Sequence, residues 1–329
     1  MNVYFDKPNL VSFISCAKKD NRYDYCMDTL MNHGRIFMNF EKASLQEDTE
    51  DNQLVKDWMK VCSEGAENEP WCWGNVFPPR PIKSNTSKPF TKEQHSAVYL
   101  ISDDRADAWT SKKQYLIASE GEEINVLSQL WMDDRQYTKN IFPELDEWSA
   151  LSSYTSPCSD IIIIDQFLLL DENLLAYNLY RLLEILCKDV HDARMNIVLF
   201  SRNKDDHGIE PNWQEIAETI RNRIESISSV KPYVTIATGS RDKLAEHDRT
   251  IFTNYQLFNS GDSFNYFNSL GEKITRGRYF HVNSLACKNN MKTAIYFLND
   301  MQKLYDSIKQ ANPDNIHKEA RCECNYIEL

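Results

Sequence analysis

The C-terminal half of the chain alternates between short apolar runs and amphipathic segments. Residues 160–165 form an Ile-rich run typical of a buried strand, and residues 196–200 and 233–237 form two more β-branched runs. Between these runs, residues 172–188 and 213–228 repeat Leu and Ile at helical spacing. This alternation of strands and helices predicts a largely parallel sheet with helices on both faces.

Shorter patterns complete the predicted elements. Residues 249–255 and 256–259 predict a pair of strands, and residues 291–308 predict a closing helix. The N-terminal half is less regular, with strands predicted at 3–5 and 98–102 that each end in acidic residues. The predicted fold class is α/β, with a mixed or parallel C-terminal sheet and an N-terminal α/β domain of undetermined topology.

Changes in composition suggest where domains begin and end. Five prolines within residues 68–92 predict an irregular excursion, because clustered prolines sustain neither a helix nor a central strand. Ser, Thr and Pro gather at 149–159 and indicate a domain boundary. We therefore expect an N-terminal domain over 1–150, a second domain over 158–310 and a solvated tail over 311–329.

Charge and cysteine content narrow the classes of function. The 329 residues include 49 acidic and 37 basic side chains, for a net charge of −12, which excludes a general charge-driven coat of nucleic acid. Basic residues nevertheless outnumber acidic ones seven to five between positions 231 and 278, which permits an anion site there. Nine irregularly spaced cysteines predict free thiols and a cytoplasmic protein. No membrane span is expected, since no apolar run approaches ~20 residues, and no secretory signal is expected, since the first residues lack a basic stretch followed by an apolar run. No cofactor is expected.

The most informative stretch is EHDRTIFTNYQLFNSGDSFN, residues 246–265. It resembles the signature of the phospholipase D superfamily, in which His, Lys, Asp, Gly-Ser and Asn follow one another at fixed spacing. Four positions keep the residue types of that signature: His247, Gly261, Ser263 and Asn265. Arg249 replaces the Lys, Asn254 replaces the Asp, and Asp262 is inserted between Gly and Ser.

The resemblance covers roughly residues 158–310 and extends to the degenerate phospholipase-D-like domain of some eukaryotic proteins with microtubule-interacting and trafficking domains. In the active family the His attacks phosphorus while Lys and Asn hold the phosphate oxygens. The resemblance therefore implies that His247 is a candidate catalytic nucleophile. Arg249 can still bind phosphate through two parallel N–H groups. Asn254 lacks the carboxylate that would favour an imidazolium, so acid–base catalysis should be weakened.

We expect the motif side chains to line one anion pocket, with Asp165 in support. The predicted phosphate-binding residues are Arg249, Asn254, Ser263, Asn265 and Asp165. Asp165 ends the Ile-rich strand, where an open parallel sheet presents functional groups, although it equally fits a cap for the helix that begins near Asp171. Arg202, just after the strand at 196–200, is a further candidate phosphate contact.

The leading functional hypothesis is recognition of a phosphate-bearing ligand, a nucleic acid or nucleotide rather than a lipid. Such a degenerate domain would act within a nucleic-acid-processing or defence assembly. The first alternative is a metal-independent nuclease or phosphodiesterase. Because the chain carries only one copy of the motif, such an enzyme would have to pair two His247 rings in a homodimer.

Two further alternatives concern the N-terminal half. Asp6, Asp103 and Asp104 follow predicted strands and resemble the acidic cluster of PIN-like nucleases, which would hold Mg²⁺ through carboxylate oxygens. The other alternative is a protein-interaction adaptor, because six of the seven tryptophans lie in the first half and Trp is enriched at interfaces.

Overall fold

The computed structural model describes residues 1–64, 69–73, 91–101, 114–132, 136–190, 194–244, 249–274, 279–319 and 321–329. These residues divide into two compact units. Unit 1 comprises Met1–Tyr137 and Leu285–Met291, and unit 2 comprises Thr138–Ser284 and Lys292–Leu329. Both units contain a sheet and helices, which confirms the α/β fold class. In the part of the chain described, no helix combines the length and apolarity needed to cross a bilayer.

Unit 1 is built on a parallel five-stranded sheet in the order β3-β2-β1-β4-β5. Its strands are β1 Asn2–Phe5, β2 Arg35–Met38, β3 Trp71–Trp73, β4 Val98–Leu100 and β5 Leu116–Ala118. Its helices are α1 Lys7–Ser15, α2 Tyr23–Asn32, α3 Glu50–Ser63, α4 Lys92–His95 and α5 Glu123–Ser128, with a 3₁₀ helix at Lys42–Leu45. The strand order reverses at β1, the pattern of a doubly wound sheet.

Unit 2 is built on a mixed eight-stranded sheet in the order β13-β9-β8-β7-β10-β11-β12-β6. Its strands are β6 Thr138–Asn140, β7 Asp160–Ile164, β8 Arg194–Arg202, β9 Lys231–Gly239, β10 Arg249–Thr253, β11 Gln256–Ser260, β12 Phe280–Ser284 and β13 Ile316–Lys318. The three strands β7, β8 and β9 are parallel, and the remaining pairs are antiparallel. This confirms the mixed sheet expected for the C-terminal half.

The helices that follow in the chain are α6 Glu172–Leu175, α7 Leu179–Cys187, α8 Trp213–Ile227, α9 Arg241–Leu244 and α10 Lys288–Ala311. Short 3₁₀ helices occur at Phe142–Glu144, Trp148–Ser153 and Pro313–Asn315. The single helix predicted over 172–188 is divided in two at Asn178. The fully buried Asn178 side chain donates to the carbonyls of Leu174 and Phe267, which draws the backbone out of the helical conformation.

The last residues of the chain are packed into unit 2 and are not the solvated tail that composition suggested. Strand β13 pairs with β9, and Cys322, Tyr326 and Ile327 are buried. Asn325 donates its backbone N–H to Asp160 Oδ1 at 2.9 Å and its amide Nδ2 to Asp160 Oδ2 at 2.6 Å. Because Asp160 is fully buried, its carboxylate depends on such donors, and this fixes the end of the chain.

The structural boundary also differs from the sequence-based one. Unit 2 begins at Thr138 rather than near 150–158, because β6 joins the edge of its sheet by pairing with β12. Residues beyond 310 belong to the same unit through β13. Strands β6 and β13 are only three residues long, so they leave little hydrophobic periodicity in the sequence. The sequence therefore does not indicate that they belong to the sheet of unit 2.

Asn325→Ala should destabilise the protein by about 1–3 kcal/mol, because it removes one donor from a buried carboxylate. Urea unfolding followed by circular dichroism measures this change. Glu323→Ala is the matched control, since the Glu323 side chain is 79% exposed in the same segment and its removal should change stability by less than about 0.5 kcal/mol. Equal effects of the two substitutions would contradict the anchoring role of Asn325.

Candidate functional site

The topology of unit 2 brings four separate segments to one edge of its sheet. Asp165 directly follows β7, and Arg202 ends the neighbouring parallel strand β8. Strand β10 runs antiparallel to β7, with Thr250 opposite Ile164. Arg249, the first residue of β10, therefore lies at the same edge as Asp165. Arg249 in turn lies opposite Ser260, which places the turn after β11 there as well. This is the carboxyl edge, where open parallel sheets carry their functional groups.

Asp165 holds two of these segments together. One carboxylate oxygen, Oδ1, accepts the backbone N–H groups of Phe167 at 2.8 Å and Leu168 at 3.2 Å. The other, Oδ2, accepts the Ser263 hydroxyl at 2.8 Å and the Phe264 N–H at 2.6 Å. The side chain therefore fixes the turn after β7 and the turn after β11. It does not cap the next helix, because Asp171 performs that role by accepting the N–H of Asn173.

The charge on Asp165 is set by opposing effects. Burial raises the pKa of this carboxyl above its ordinary value of 3.8. Hydrogen bonds from Phe167, Phe264 and Ser263 lower the pKa again, as does the positive charge of Arg249. Arg249 therefore lies close enough to Asp165 to interact with its charge, although the two side chains form no ion pair among those found in the described part of the chain.

Two guanidinium groups meet at one aromatic ring beside this carboxylate. The guanidinium carbon of Arg249 lies 5.9 Å from the centroid of the Phe167 ring, and that of Arg202 lies 5.6 Å from it. Arg202 is 7% exposed and donates to the exposed Asp206 carboxylate at 2.9 Å. The ring of Phe167 thus gathers two positive charges at the sheet edge through cation–π attraction.

Arg249 has hydrogen-bonding capacity that its neighbours do not use. Its Nε is buried and has no hydrogen-bond partner, and its guanidinium donates to no residue that the structure describes. Nearby, Asn265 Nδ2 donates one hydrogen to the Phe167 carbonyl at 3.3 Å, while Asn265 Oδ1 is buried without a partner. Both residues are half-buried, whereas the Arg249 Nε and Asn265 Oδ1 atoms are themselves buried.

Ser263 is close to the arginines but acts as a positioning residue. Its single hydroxyl hydrogen is donated to Asp165, and its oxygen accepts the backbone N–H of Asn265 at 3.3 Å. The hydroxyl therefore has no hydrogen left to offer a phosphate oxygen. We correct its predicted role from phosphate contact to support of the Asn265 backbone.

Asn254 does not belong to this cluster. Strand β10 separates it from Arg249 by about 16 Å, and it lies at the opposite edge of the sheet, next to the start of β7. Its side chain accepts the backbone N–H of Ser159 at 3.0 Å and donates to the Ser159 hydroxyl at 3.0 Å. The prediction that Asn254 lines the anion pocket is wrong, because the residue is fully buried in a structural network.

Three predicted residues lie outside the described part of the chain: His247, Asp103 and Asp104. The role of His247 as a nucleophile and the roles of Asp103 and Asp104 as metal ligands therefore stay predictions. Asp6, the remaining member of that cluster, is buried just after β1 and accepts a hydrogen bond from Asn39 Nδ2 at 2.7 Å. Among the residues described, no group of three or more His, Cys, Asp or Glu side chains is arranged to hold a metal ion.

Phe167 is the residue of this edge that sequence reasoning missed. It lies two positions beyond Asp165, and an aromatic residue at the end of a strand normally indicates core packing. Arg202 was recognised from its position after a strand, and its burial distinguishes it from an exposed loop arginine. A separate cavity of about 480 Å³ in unit 2, lined by Trp148, Tyr177 and Leu270, contains none of the side chains predicted to bind phosphate.

No protein-family model matches the chain, and no curated protein matches it by sequence.

Asp165→Asn should reveal the raised pKa of Asp165 as a pH-dependent difference in stability. A carboxyl whose pKa is raised on folding stabilises the native state below its unfolded pKa, about 3.8, and loses that contribution as the pH rises through the folded value. Wild type should therefore lose stability relative to Asp165→Asn from pH 3.8 towards neutrality. Urea unfolding of both proteins across this range measures the trend. The opposite slope would mean that the hydrogen bonds and Arg249 outweigh burial.

Proposed function

We propose that unit 2 recognises the phosphate group of a phosphodiester or nucleotide at the edge formed by Arg249, Arg202 and Asn265. The single observation that carries this proposal is the unused donor capacity of the Arg249 guanidinium. Its Nε is buried without an acceptor, although an unsatisfied buried donor costs about 1–3 kcal/mol. A ligand with several strong acceptor oxygens would remove that cost.

The pairing of two arginines supports an anionic ligand. Arg249 and Arg202 both lie within 6 Å of the Phe167 ring centroid, and only Arg202 forms an ion pair among the described residues, with Asp206. Each guanidinium is a planar fork whose N–H groups match the spacing of phosphate oxygens. The second hydrogen of Asn265 Nδ2 adds a neutral donor beside them.

Recognition is better supported than hydrolysis. A guanidinium pair and an amide are sufficient to bind phosphate, whereas phosphodiester cleavage through a phosphohistidine also requires His247 and a proton donor for the leaving oxygen. Asn254, which stands at the position of the signature's Asp, is directed to the opposite edge of the sheet. The homodimeric nuclease, the N-terminal metal-dependent nuclease and the adaptor all stay predictions.

The proposal includes the cytoplasm as the compartment, because all nine cysteines are free thiols. In that compartment nucleotides and nucleic acids supply exposed phosphate groups. The resemblance to a degenerate phospholipase-D-like domain agrees with such a ligand, and a nucleic-acid-processing or defence assembly is the setting that we infer from it.

Arg249→Gln should weaken binding of a fluorescein-labelled single-stranded oligodeoxynucleotide by about tenfold or more, because it removes a charge-assisted contact. Fluorescence anisotropy at low ionic strength measures the dissociation constant, with EDTA present so that no divalent cation bridges the two partners. The melting temperature should change little, since the Arg249 guanidinium makes no hydrogen bond within the described part of the chain.

Arg321→Gln is the matched control, because it removes an equal charge from an exposed position of the same unit. Its dissociation constant should stay within about twofold of wild type. If Arg249→Gln unfolds the protein while affinity in the remaining folded fraction is intact, Arg249 is structural. Equal weakening by both substitutions would show that binding follows net charge alone.

A further inference from the structure

A second cavity with a different character lies in unit 1. It is a broad, open groove with a volume of about 900 Å³. Its walls come from the 3₁₀ helix Lys42–Leu45, the helix α3 and the edge strand β3. Side chains that face it include three lysines, two tryptophans and a methionine: Lys42, Lys56, Lys60, Trp71, Trp73 and Met59.

The two tryptophans form an aromatic wall that is fixed in place. Trp71 and Trp73 are two positions apart on β3, and side chains at this spacing project to the same face of a sheet. Trp71 packs against Trp58 of α3 with their ring centroids 5.9 Å apart. Trp73 donates its Nε1 hydrogen to Glu69 Oε2 at 3.0 Å, and its ring meets Phe40 edge to face at 5.8 Å. An indole held in this way is ready to stack against a ligand.

The lysines supply charge that the protein does not neutralise. Lys56 and Lys60 are exposed, and neither forms an ion pair or hydrogen bond with a residue that the structure describes. They lie four positions apart on α3 and share one face, an arrangement in which like charges repel. Lys42 contacts Glu69 at 3.2 Å and lies 5.4 Å from the Trp73 ring centroid. Three lysines facing one carboxylate leave the cavity positively charged.

The wall of the cavity also contains a poorly paired donor. Trp71 is 6% exposed, and its Nε1 is buried without a hydrogen-bond partner. The Trp71 N–H does interact with the Glu69 carboxylate: the pKa of Glu69 is lowered mainly by the hydrogen bond from Trp73, then by that from Lys42, and least by that from Trp71. Because the Trp71 N–H contributes least of the three donors to Glu69 and meets no acceptor in good hydrogen-bond geometry, it favours a ligand that carries an acceptor beside this ring.

We propose that this lysine–tryptophan cavity binds a nucleoside phosphate, with the base against Trp73, an acceptor on the ligand facing Trp71 and the phosphate on Lys56 and Lys60. The lysines, the aromatic wall and the Trp71 N–H together favour a ligand that has a phosphate, a flat base and an acceptor. A simple polyanion would use the lysines but not the aromatic wall, and an apolar molecule would leave the lysines unpaired. The site is separate from the Arg249 edge and does not depend on the function proposed for that edge.

The same chemistry has two sources, a free nucleotide or the end of a single-stranded nucleic acid. Bases stack on aromatic side chains in both cases, and lysines contact the phosphates as point charges. A free nucleotide would bring several negative phosphate charges to one point, whereas a single-stranded nucleic acid would spread its phosphate charges along α3. Titrations with ATP and with a short oligothymidylate therefore distinguish the two sources.

Isothermal titration calorimetry of the full chain with ATP, oligothymidylate, inorganic tripolyphosphate and adenosine tests the proposal. Lys56→Glu with Lys60→Glu should weaken binding of the preferred nucleoside phosphate at least about tenfold, and Trp73→Ala should weaken it similarly. The matched control is Lys18→Glu with Lys19→Glu, which makes the same charge change at exposed positions of unit 1 outside the cavity.

Binding of either ATP or oligothymidylate with this pattern supports the site and identifies its source of ligand. Absence of binding by both would overturn the proposal. Tripolyphosphate that binds as tightly as ATP, with no effect of Trp73→Ala, would reduce the cavity to a nonspecific cation cluster and equally overturn it. The charge-reversal pair lies on the exposed face of α3, so its outcome holds even if Trp73→Ala fails to fold.

Discussion

The antiparallel pairing of β10 with β7 is the constraint on which the proposed anion site depends. It reverses the direction of the chain next to three parallel strands, and so carries Arg249 to the edge where Asp165 and Arg202 already lie. The buried Asp165 carboxylate then fixes this edge by accepting four hydrogen bonds from two turns. A carboxylate that is saturated by backbone and hydroxyl donors does not need to form a tight ion pair with Arg249. The arginine consequently keeps its donors for another partner.

A strongly acidic chain can still bind anions because electrostatic interactions are decided locally. The net charge of −12 acts over long distances and is screened by salt, whereas two guanidinium groups around one ring act within a few ångströms. The site proposed in unit 1 combines charge differently, with lysines on one face of α3 beside an aromatic wall. Arginine forks suit the geometry of a single phosphate, and lysines beside indoles suit a ligand with both a charged and a flat part.

The sequence predicted much of unit 2 because its buried strands and amphipathic helices have strong periodicity. It predicted one helix over 172–188, since periodicity cannot show that Asn178 is buried and bonded to Phe267. It placed Asn254 beside Arg249 because spacing in a motif does not reveal a five-residue strand that separates its two ends. The polar end of the chain looked solvated, since nothing in its composition indicates that Asn325 reaches a buried Asp160. The local hydrophobic pattern predicts helices and strands, whereas the pairing of strands and the tertiary contacts determine which side chains meet.

Anomalous diffraction from crystals soaked in tungstate, a tetrahedral oxyanion like phosphate, tests the central claim most directly. If Arg249 and Arg202 form an oxyanion site, a tungsten peak should lie between their guanidinium groups, with Asn265 Nδ2 within hydrogen-bonding distance of a ligand oxygen. A map in which Arg249 instead pairs with the Asp165 carboxylate, with no tungsten between the two arginines, would contradict the account.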